Sequence, residues 1–249
     1  MASSQESSGK KYREFHNGVS HIIARADIAG LLPSRAPRAI SPSVLPADIL
    51  RGMSIVTGTL ALYEQTGAYL RGHFRLTSGL HSGEYLQSAK VLAHPQHAEH
   101  LGRLLAERIR PLLAGESVDF VIAPAMGGII IGHEVARALG VPFLFTERDA
   151  DSGRMTLRRG FEIAPHQRTI VIEDVITTGG STREVIDLVR AAGARALAAA
   201  SIIDRSNGRA EVGVPRVALE QLEVVTYDPS DCPLCRQSLP VTKPGSRKA

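Results

Sequence analysis

Tryptophan is absent from this chain of 249 residues, and aromatic residues make up only 4% of it. Because hydrophobic residues still account for 43%, the core must be built from Leu, Val, Ile and Ala, which is typical of helices packed on a parallel sheet. No apolar run reaches the roughly 18 residues of a membrane span, and the N-terminus lacks the apolar segment of a secretory signal. We therefore expect a cytoplasmic protein that does not associate with membranes.

Cysteine is also scarce. Cys232 and Cys235 are too few for a disulfide framework, and they form a single C-x-x-C. One such pair is half of a zinc site, which a histidine or the same pair of a second subunit could complete. The alternative is a turn with two free thiols. Redox activity of the pair is the least expected of the three possibilities.

Positive charge comes almost entirely from arginine. Five lysines are present, at positions 10, 11, 90, 243 and 248, so that every fixed cation between 91 and 242 is Arg. The net charge of +4 is too small to indicate nucleic-acid binding, and it fits an anionic substrate.

Composition divides the chain into three parts. Residues 1–52 are rich first in Ser and then in Pro, which predicts a mostly disordered extension. Residues 53–228 alternate between strand-like and helix-like patterns and form the expected domain, an α/β fold with a largely parallel sheet. Residues 229–249 form a tail that carries the C-x-x-C.

The patterns within the domain predict individual elements. We expect the polar stretch 147–160 not to pack against the core. The expected helices are 53–66, 95–113, 127–139, 181–192 and about 215–221, and the expected strands are two within 72–88 and then 119–123, 142–145, 169–172, 197–203 and 222–225.

The most specific segment is 169–181, T-I-V-I-E-D-V-I-T-T-G-G-S. A buried strand delivers Glu173 and Asp174 to the carboxyl end of the sheet, where ligands of such folds bind. The small residues that follow offer backbone N–H groups, hydroxyls and a helix N-terminus to a phosphate. Because neither a Walker lysine nor G-x-G-x-x-G is present, a phosphorylated ribose is the ligand that this pattern favours.

Four further segments are expected around that phosphate. Pro124–Gly128 is a strand-to-helix turn that could hold a second anion. The stretch 147–160 carries Arg148, Arg154, Arg158 and Arg159 and could be a charged hairpin or a flap over a leaving diphosphate. Asp204-Arg205 follows a strand and could be a local ion pair or a carboxylate-binding site. The hairpin residues Thr77, Ser78, Gly79 and Tyr85 could cover a planar base.

Together these segments resemble the orotate phosphoribosyltransferases, a branch of the type I phosphoribosyltransferases. The resemblance extends over nearly all of 53–228 and includes F-R-L-T-S-G-L-H-S-G-E-Y, A-P-A-M-G-G, E-R, the 170–181 loop and I-D-R. The loop alone is typical of the whole superfamily, whereas the hairpin and Asp204-Arg205 point to orotate. The resemblance implies the type I phosphoribosyltransferase fold with a small hood hairpin.

The resemblance also implies a reaction and its residues. The enzyme would transfer the 5-phosphoribosyl group of 5-phosphoribosyl-1-diphosphate (PRPP), with Mg²⁺, to orotate, in a homodimer whose flap acts in the neighbouring subunit's site. Catalysis would involve Asp174, Arg148 and Arg154. PRPP would contact Glu173, Asp174, Thr177, Thr178, Gly179, Gly180, Ser181, Met126, Gly127, Gly128, Arg148 and Arg158. Orotate would contact Thr177, Arg205, Thr77 and Ser78.

The chain departs from that family at lysine positions. Thr77 and Gly127 stand where relatives carry Lys, and the short flap has only arginines, which hold charge but do not readily release a proton. Two alternatives stay open: a xanthine-type purine phosphoribosyltransferase, and a regulator that senses PRPP, binds nucleic acid and has lost turnover.

Overall fold

The structure is a computed structural model that describes residues 58–76 and 78–244. Helices and strands alternate along this part of the chain, as the patterns predict. The helices are α1 Thr59–Gln65, α2 Ser88–Leu92, α3 Pro95–Ile109, α4 Gly128–Leu139, α5 Gly180–Ala191 and α6 Pro233–Arg236. The strands are β1 Tyr69–Arg75, β2 His81–Leu86, β3 Phe120–Pro124, β4 Phe143–Arg148, β5 Met155–Leu157, β6 Arg168–Ile176, β7 Arg195–Asp204, β8 Arg216–Gln221 and β9 Thr226–Tyr227.

The main sheet has six strands in the order β5-β4-β3-β6-β7-β8. Strands β4, β3, β6, β7 and β8 are parallel, and β5 pairs antiparallel with β4. The carboxyl ends of the central strands β3, β6 and β7 therefore lie at the same edge. This edge is where the sequence places the acids and the glycine-rich turns.

A smaller antiparallel sheet, in the order β1-β2-β9, forms the hairpin expected within 72–88 together with a short strand from the C-terminal side. The tail also joins it, because an isolated bridge pairs Phe74 with Thr242. The predicted hood is thus a three-stranded sheet to which the end of the chain is attached.

Alternating side chains of β6 pack into the two faces of the main sheet. Ile170 and Ile172 contact the cluster that contains Leu101 and Leu105 of α3, whereas Val171 contacts the cluster on the α5 side. All of these side chains are fully buried, and each contributes about 1.5–3 kcal/mol through removal from water. The aliphatic core is what the composition predicts.

Helix boundaries follow local chemistry. Pro95 begins α3, where its fixed φ suits the first turn and its missing N–H costs no hydrogen bond. Gly140 ends α4 with φ 73°, a left-handed conformation that glycine adopts without a steric penalty. None of the helices between residues 58 and 244 is long and apolar enough to cross a membrane.

Three sequence-based expectations are wrong in detail. Residues 216–221 form strand β8, not a helix, and the strand expected at 222–225 is absent from the described residues there. The stretch 147–160 does pack, since it forms the β4–β5 hairpin and buries Met155 against the α5 side of the core. The start of the helix expected at 53–66, and the extension 1–52, lie outside the described residues.

Candidate active site

Strand β6 ends in the loop that the sequence marks as a phosphate site. Thr177 and Thr178 are exposed beyond the strand. Gly179 has φ 74°, and a Cβ built there would lie 2.7 Å from Cγ1 of Val212. Both the left-handed backbone and the lack of space require glycine at this position.

Helix α5 starts directly after this loop without a side-chain cap. Its first N–H groups lack intrahelical partners, and together with the helix dipole they favour an anion. Arg183 supports the loop from outside, since its Nη1 donates to the carbonyl oxygens of Thr178 at 2.8 Å and of Glu211 at 2.7 Å. The sequence analysis missed this residue; its only signal is a position in the first turn of the helix.

The turn after β3 faces the same region. Ala125 N–H donates to the carbonyl of Thr146 at 2.7 Å, which attaches the turn to β4, and the Ala125–Met126 peptide bond is cis. Met126 is exposed, and Gly128 opens helix α4. A Cβ on Gly127 would lie 2.7 Å from Cγ of Asp174. The structure therefore brings the turn into contact with the acids of β6.

The two acids have different environments. Glu173 is buried, and this burial, followed by the charge of Asp174 and a hydrogen bond to it, raises the pKa of Glu173 well above its ordinary value. Asp174 is half-buried and lines an open cleft. Of the predicted pair, only Asp174 faces the space where a ribose could lie.

This cleft, of about 530 Å³, lies between the β1–β2 hairpin and the carboxyl ends of β6 and β7. It brings together predicted residues from three separate segments: Ser78, Asp174, Thr177, Thr178 and Arg205. The full lining is Leu76, Ser78, Leu80, Tyr85, Leu86, Gln87, Asp174, Val175, Thr177, Thr178, Arg205, Arg209, Val224 and Thr226.

Arg205 is a half-buried cation in the wall of this cleft. Its Nε is shielded from solvent, and no hydrogen-bond partner for it is found in the part of the chain that the structure describes. Burial lowers the pKa of Arg205, and the neighbouring Tyr85, Glu84 and Tyr69 offset this only in part. A guanidinium with an unused donor suits a planar carboxylate.

Asp204 does not pair with its neighbour Arg205. Its carboxylate is fully buried and accepts from Arg216 Nη1 at 2.6 Å, from Ser206 Oγ at 2.6 Å and from Gly208 N–H at 3.0 Å. The local ion pair considered from the sequence is thus wrong, because strand β8 supplies the cation. Sequence analysis missed Arg216, since it expected a helix there.

The arginines of the β4–β5 hairpin lie outside this cleft. Arg148 donates to the Gly153 carbonyl and pairs with Glu184 of α5. Arg154 and Arg158 are exposed, and Arg159 pairs with Glu147 at 2.8 Å. The structure therefore shows the charged hairpin, and it does not bring these arginines to the cleft of their own chain.

The remaining predicted residues are placed as follows. Gly180 and Ser181 are half-buried in the first turn of α5, next to the loop. Thr77 lies outside the described residues. Cys232 and Cys235 do not line the cleft, and both contact the histidines of the hairpin.

Comparison with known proteins identifies the family of this chain. Residues 87–226 match the model of the phosphoribosyl transferase domain family. The chain is 56% identical over 189 residues to the orotate phosphoribosyltransferase of Pelotomaculum thermopropionicum, covering 76% of this chain and 96% of the relative. It is 51% identical to that of Desulforamulus reducens, with 75% and 95% covered.

Solved structures show the same similarity. The crystal structure of orotate phosphoribosyltransferase from Aeropyrum pernix superposes with a TM-score of 0.53 at 26% identity, covering 65% of this chain and 92% of that one. An adenine phosphoribosyltransferase structure superposes with a TM-score of 0.52 at 18% identity, covering 64% and 98%, and shares the fold. The predicted family and fold are confirmed.

Proposed function

This chain belongs to the orotate phosphoribosyltransferases, and we propose that the cleft beneath the β1–β2 hairpin is its active site. The enzyme transfers the 5-phosphoribosyl group of PRPP to orotate, giving orotidine 5′-monophosphate and diphosphate in pyrimidine biosynthesis. N1 of orotate forms the new bond to C1′ of the ribose and releases its proton to solvent. The bond from C1′ to the diphosphate oxygen breaks, and the diphosphate leaves with the bonding electron pair.

The observation that supports the site assignment is the position of Arg205 in the wall of the cleft, with one donor that has no partner among the described residues. Orotate differs from uracil by a carboxylate, which Arg205 would bind. Ser78 and Thr177 line the same space and offer hydroxyls to the pyrimidine edge. Tyr85 is half-buried beside them and can pack against the planar ring.

In this proposal the sugar phosphate of PRPP occupies the end of the cleft opposite to the orotate. Thr177, Thr178, Gly179, Gly180 and Ser181 surround the 5′-phosphate with hydroxyls and the N–H groups of α5. Asp174 accepts from the ribose hydroxyls. Met126, Gly127 and Gly128 contact the diphosphate through backbone donors.

Mg²⁺ fits this part of the cleft. Asp174 supplies a half-exposed carboxylate oxygen of the kind that Mg²⁺ prefers. When bound, the ion would neutralise charge on the diphosphate. The chain's own residues position the two substrates, and Asp174 stabilises positive charge that develops on the ribose ring.

A homodimer with a shared active site is part of the proposal. Arg148, Arg154 and Arg158 extend from one end of the sheet without reaching the cleft of their own chain. In a dimer, the exposed guanidiniums would cover the diphosphate of the neighbouring site. The cytoplasmic location expected from the sequence stays a prediction.

The site assignment is tested by substrate kinetics of Arg205→Ala. We expect KM for orotate to rise about 10- to 100-fold, as for loss of a hydrogen bond between charged groups, with KM for PRPP nearly unchanged. Arg209→Ala is the matched control, because Arg209 lines the same cleft but pairs with Glu223 at its exposed rim. An Arg205→Ala enzyme with parental KM for orotate would contradict the assignment.

Subunit mixing tests the dimer separately. Arg205→Ala and the double variant Arg154→Ala/Arg158→Ala should each be impaired alone. After unfolding and refolding together, half of the dimers would be mixed, and each would regain one intact site, so that about a quarter of the parental activity returns. Sedimentation as a monomer, or no recovery in the mixture, would contradict the shared site.

A further inference from the structure

Four metal-ligand side chains meet where the C-terminal tail crosses the β1–β2 hairpin. His73 lies in β1 and His81 in β2, and Cys232 and Cys235 lie at the start and in the last turn of α6. Each side chain presents one ligand atom, and all four atoms lie within 4.8 Å of one another. The hairpin therefore supplies the histidines that a lone C-x-x-C lacks.

Three of the distances between these atoms are close to the edges of a metal tetrahedron. With Zn–N at about 2.05 Å and Zn–S at about 2.3 Å, a tetrahedral ion separates N from S by about 3.6 Å and N from N by about 3.3 Å. Cys232 Sγ lies 3.6 Å and Cys235 Sγ 3.8 Å from Nε2 of His73, and Cys235 Sγ lies 3.4 Å from Nδ1 of His81. The two ring nitrogens are 2.8 Å apart, so that metal binding would separate them by about 0.5 Å more.

A contact outside the cluster fixes one ligand. Nδ1 of His73 lies 2.8 Å from the carbonyl oxygen of Leu239. Because a carbonyl can only accept, Nδ1 carries the proton, and Nε2 presents its lone pair to the centre of the cluster, towards His81 and the cysteines. This arrangement orients metal-binding histidines in known sites. His73, His81 and Cys232 are 4%, 7% and 1% exposed, so that three of the four ligand side chains are shielded from water, and Cys235 is exposed.

We propose that His73, His81, Cys232 and Cys235 bind one structural zinc ion. Two thiolates and two imidazoles are the ligand set of closed, tetrahedral zinc sites, and four protein ligands leave no open position for catalysis. Both cysteines bind as thiolates, so that two protons are released for each ion bound. This site is separate from the Mg²⁺ site of the proposed function.

The ion would join the tail to the hairpin that covers the orotate end of the cleft. Apart from the cluster, the tail is held by few bonds, including Arg75 N–H to the Thr242 carbonyl and Thr242 N–H to the His73 carbonyl, both 2.8 Å. Leu76, Ser78 and Leu80 of the same hairpin line the cleft. A metal at the crossing therefore fixes the tail to the element that covers the base.

Metal analysis of the full chain tests the proposal directly. The protein is produced without a polyhistidine tag, purified without chelator and freed of loose metal on a chelating resin. We expect about one zinc ion per chain by inductively coupled plasma mass spectrometry. Replacement by Co²⁺ should give the visible bands of a tetrahedral ion with thiolate ligands.

Three variants separate this site from other metal binding. Cys235→Ser, at the exposed ligand, should lose the zinc. His100→Gln, at an exposed histidine of α3, and Asp174→Asn, in the cleft, should keep it. Zinc retained by Cys235→Ser, or lost with Asp174→Asn, would show binding elsewhere and overturn the proposal.

Thiol protection gives a measurement that needs no variant. Cys232 and Cys235 are the only cysteines of the chain, so that alkylation reports on this site alone. Both thiols should resist iodoacetamide in the native protein and react with it after a strong chelator is added. The chelator should also lower Tm by at least about 5 °C. A Cys232–Cys235 disulfide, or reduced protein that takes up no zinc and keeps its Tm, would overturn the proposal.

Discussion

Gly127 lies against Asp174 so closely that a Cβ on Gly127 would stand 2.7 Å from Cγ of the carboxylate. The backbone of Gly127 is helical, with φ −60°, so that any residue could adopt it. Lack of space, not backbone conformation, is what requires glycine here. A longer side chain such as lysine at this position would therefore displace the Asp174 carboxylate.

Gly127→Ala should therefore displace Asp174. We expect kcat/KM for PRPP to fall about 10- to 100-fold, since a misplacement of about 1 Å in an active site costs this much. Steady-state kinetics with PRPP varied at saturating orotate measure the effect. Gly83→Ala is the control, because the nearest atoms to a Cβ there are 3.9 Å away. Parental kinetics in Gly127→Ala would contradict the steric argument.

Glu173→Gln should make the protein more stable than the parent, by an amount that grows as pH rises. The pKa of Glu173 is raised by burial and by Asp174, so that the folded state holds a proton which the unfolded state releases. The stability that this proton supplies is complete below the ordinary pKa of the carboxyl and is lost as pH rises towards the raised value. Gln keeps the shape without titrating.

The test compares the free energies of unfolding of the two proteins in urea between about pH 4 and pH 8. The gain of Glu173→Gln over the parent should grow with pH by at most about 1.4 kcal/mol per pH unit. Glu162→Gln, at an exposed carboxyl, is the control. A constant difference across the range would mean that Glu173 does not titrate with a raised pKa.

Asp204→Asn should destabilise the protein strongly at neutral pH. The change breaks a buried ion pair and leaves Arg216 without its partner at 2.6 Å, which costs about 3–5 kcal/mol. Asp187→Asn, in an exposed pair with Arg190 at 3.5 Å, should change stability by less than about 1 kcal/mol. Equal effects of the two variants in urea unfolding would refute this ranking.

The same ion pair predicts a loss of stability at acid pH. Hydrogen bonds from Ser206 and Arg216 outweigh the burial of Asp204 and lower its pKa. The stability that this carboxylate supplies is therefore present above its ordinary pKa and is lost as pH falls through the lowered value. The difference in the free energy of unfolding between the parent and Asp204→Asn should therefore shrink at acid pH. Above the ordinary pKa of the carboxyl it should stay constant.

Arg183→Ala should weaken PRPP binding without a large loss of stability. Arg183 positions the phosphate loop through the carbonyls of Thr178 and Glu211, and loss of these bonds should raise KM for PRPP about 10-fold. Arg183→Lys should recover part of the loss. Arg190→Ala is a matched control on the same helix, because Arg190 bonds to the Gly213 carbonyl at 2.8 Å and does not contact the loop. Equal KM values in the two alanine variants would exclude the positioning role.

Local patterns were sufficient for β6 and its loop. The apolar run of residues 170–172 predicted the strand, and the paired glycines predicted the start of helix α5 to within one residue. Strand β6 continues to Ile176, four residues beyond its expected end, so that Glu173 and Asp174 lie within it. Such features are encoded over a few neighbouring residues. Local patterns also indicated the correct family, since Asp204-Arg205 and the hairpin pointed to orotate.

Strand β8 shows where local patterns fail. The segment R-V-A-L-E-Q contains good helix formers, and a helix was expected there. In the structure Ala199, Ala200 and Ser201 of β7 pair with Arg216, Val217 and Ala218. Pairing along an open sheet edge outweighs the small differences in intrinsic propensity.

The sequence by itself determined the chemistry available to this protein: a loop for a sugar phosphate, a carboxylate pair, arginines in place of lysines and one C-x-x-C. Only the tertiary structure decided how these groups combine. It paired Asp204 with Arg216 and placed Arg205 in the wall of the cleft, and it brought Cys232 within 3.6 Å of His73, 159 positions earlier in the chain. Such contacts depend on strand order and register, which are set by the packing of the whole domain.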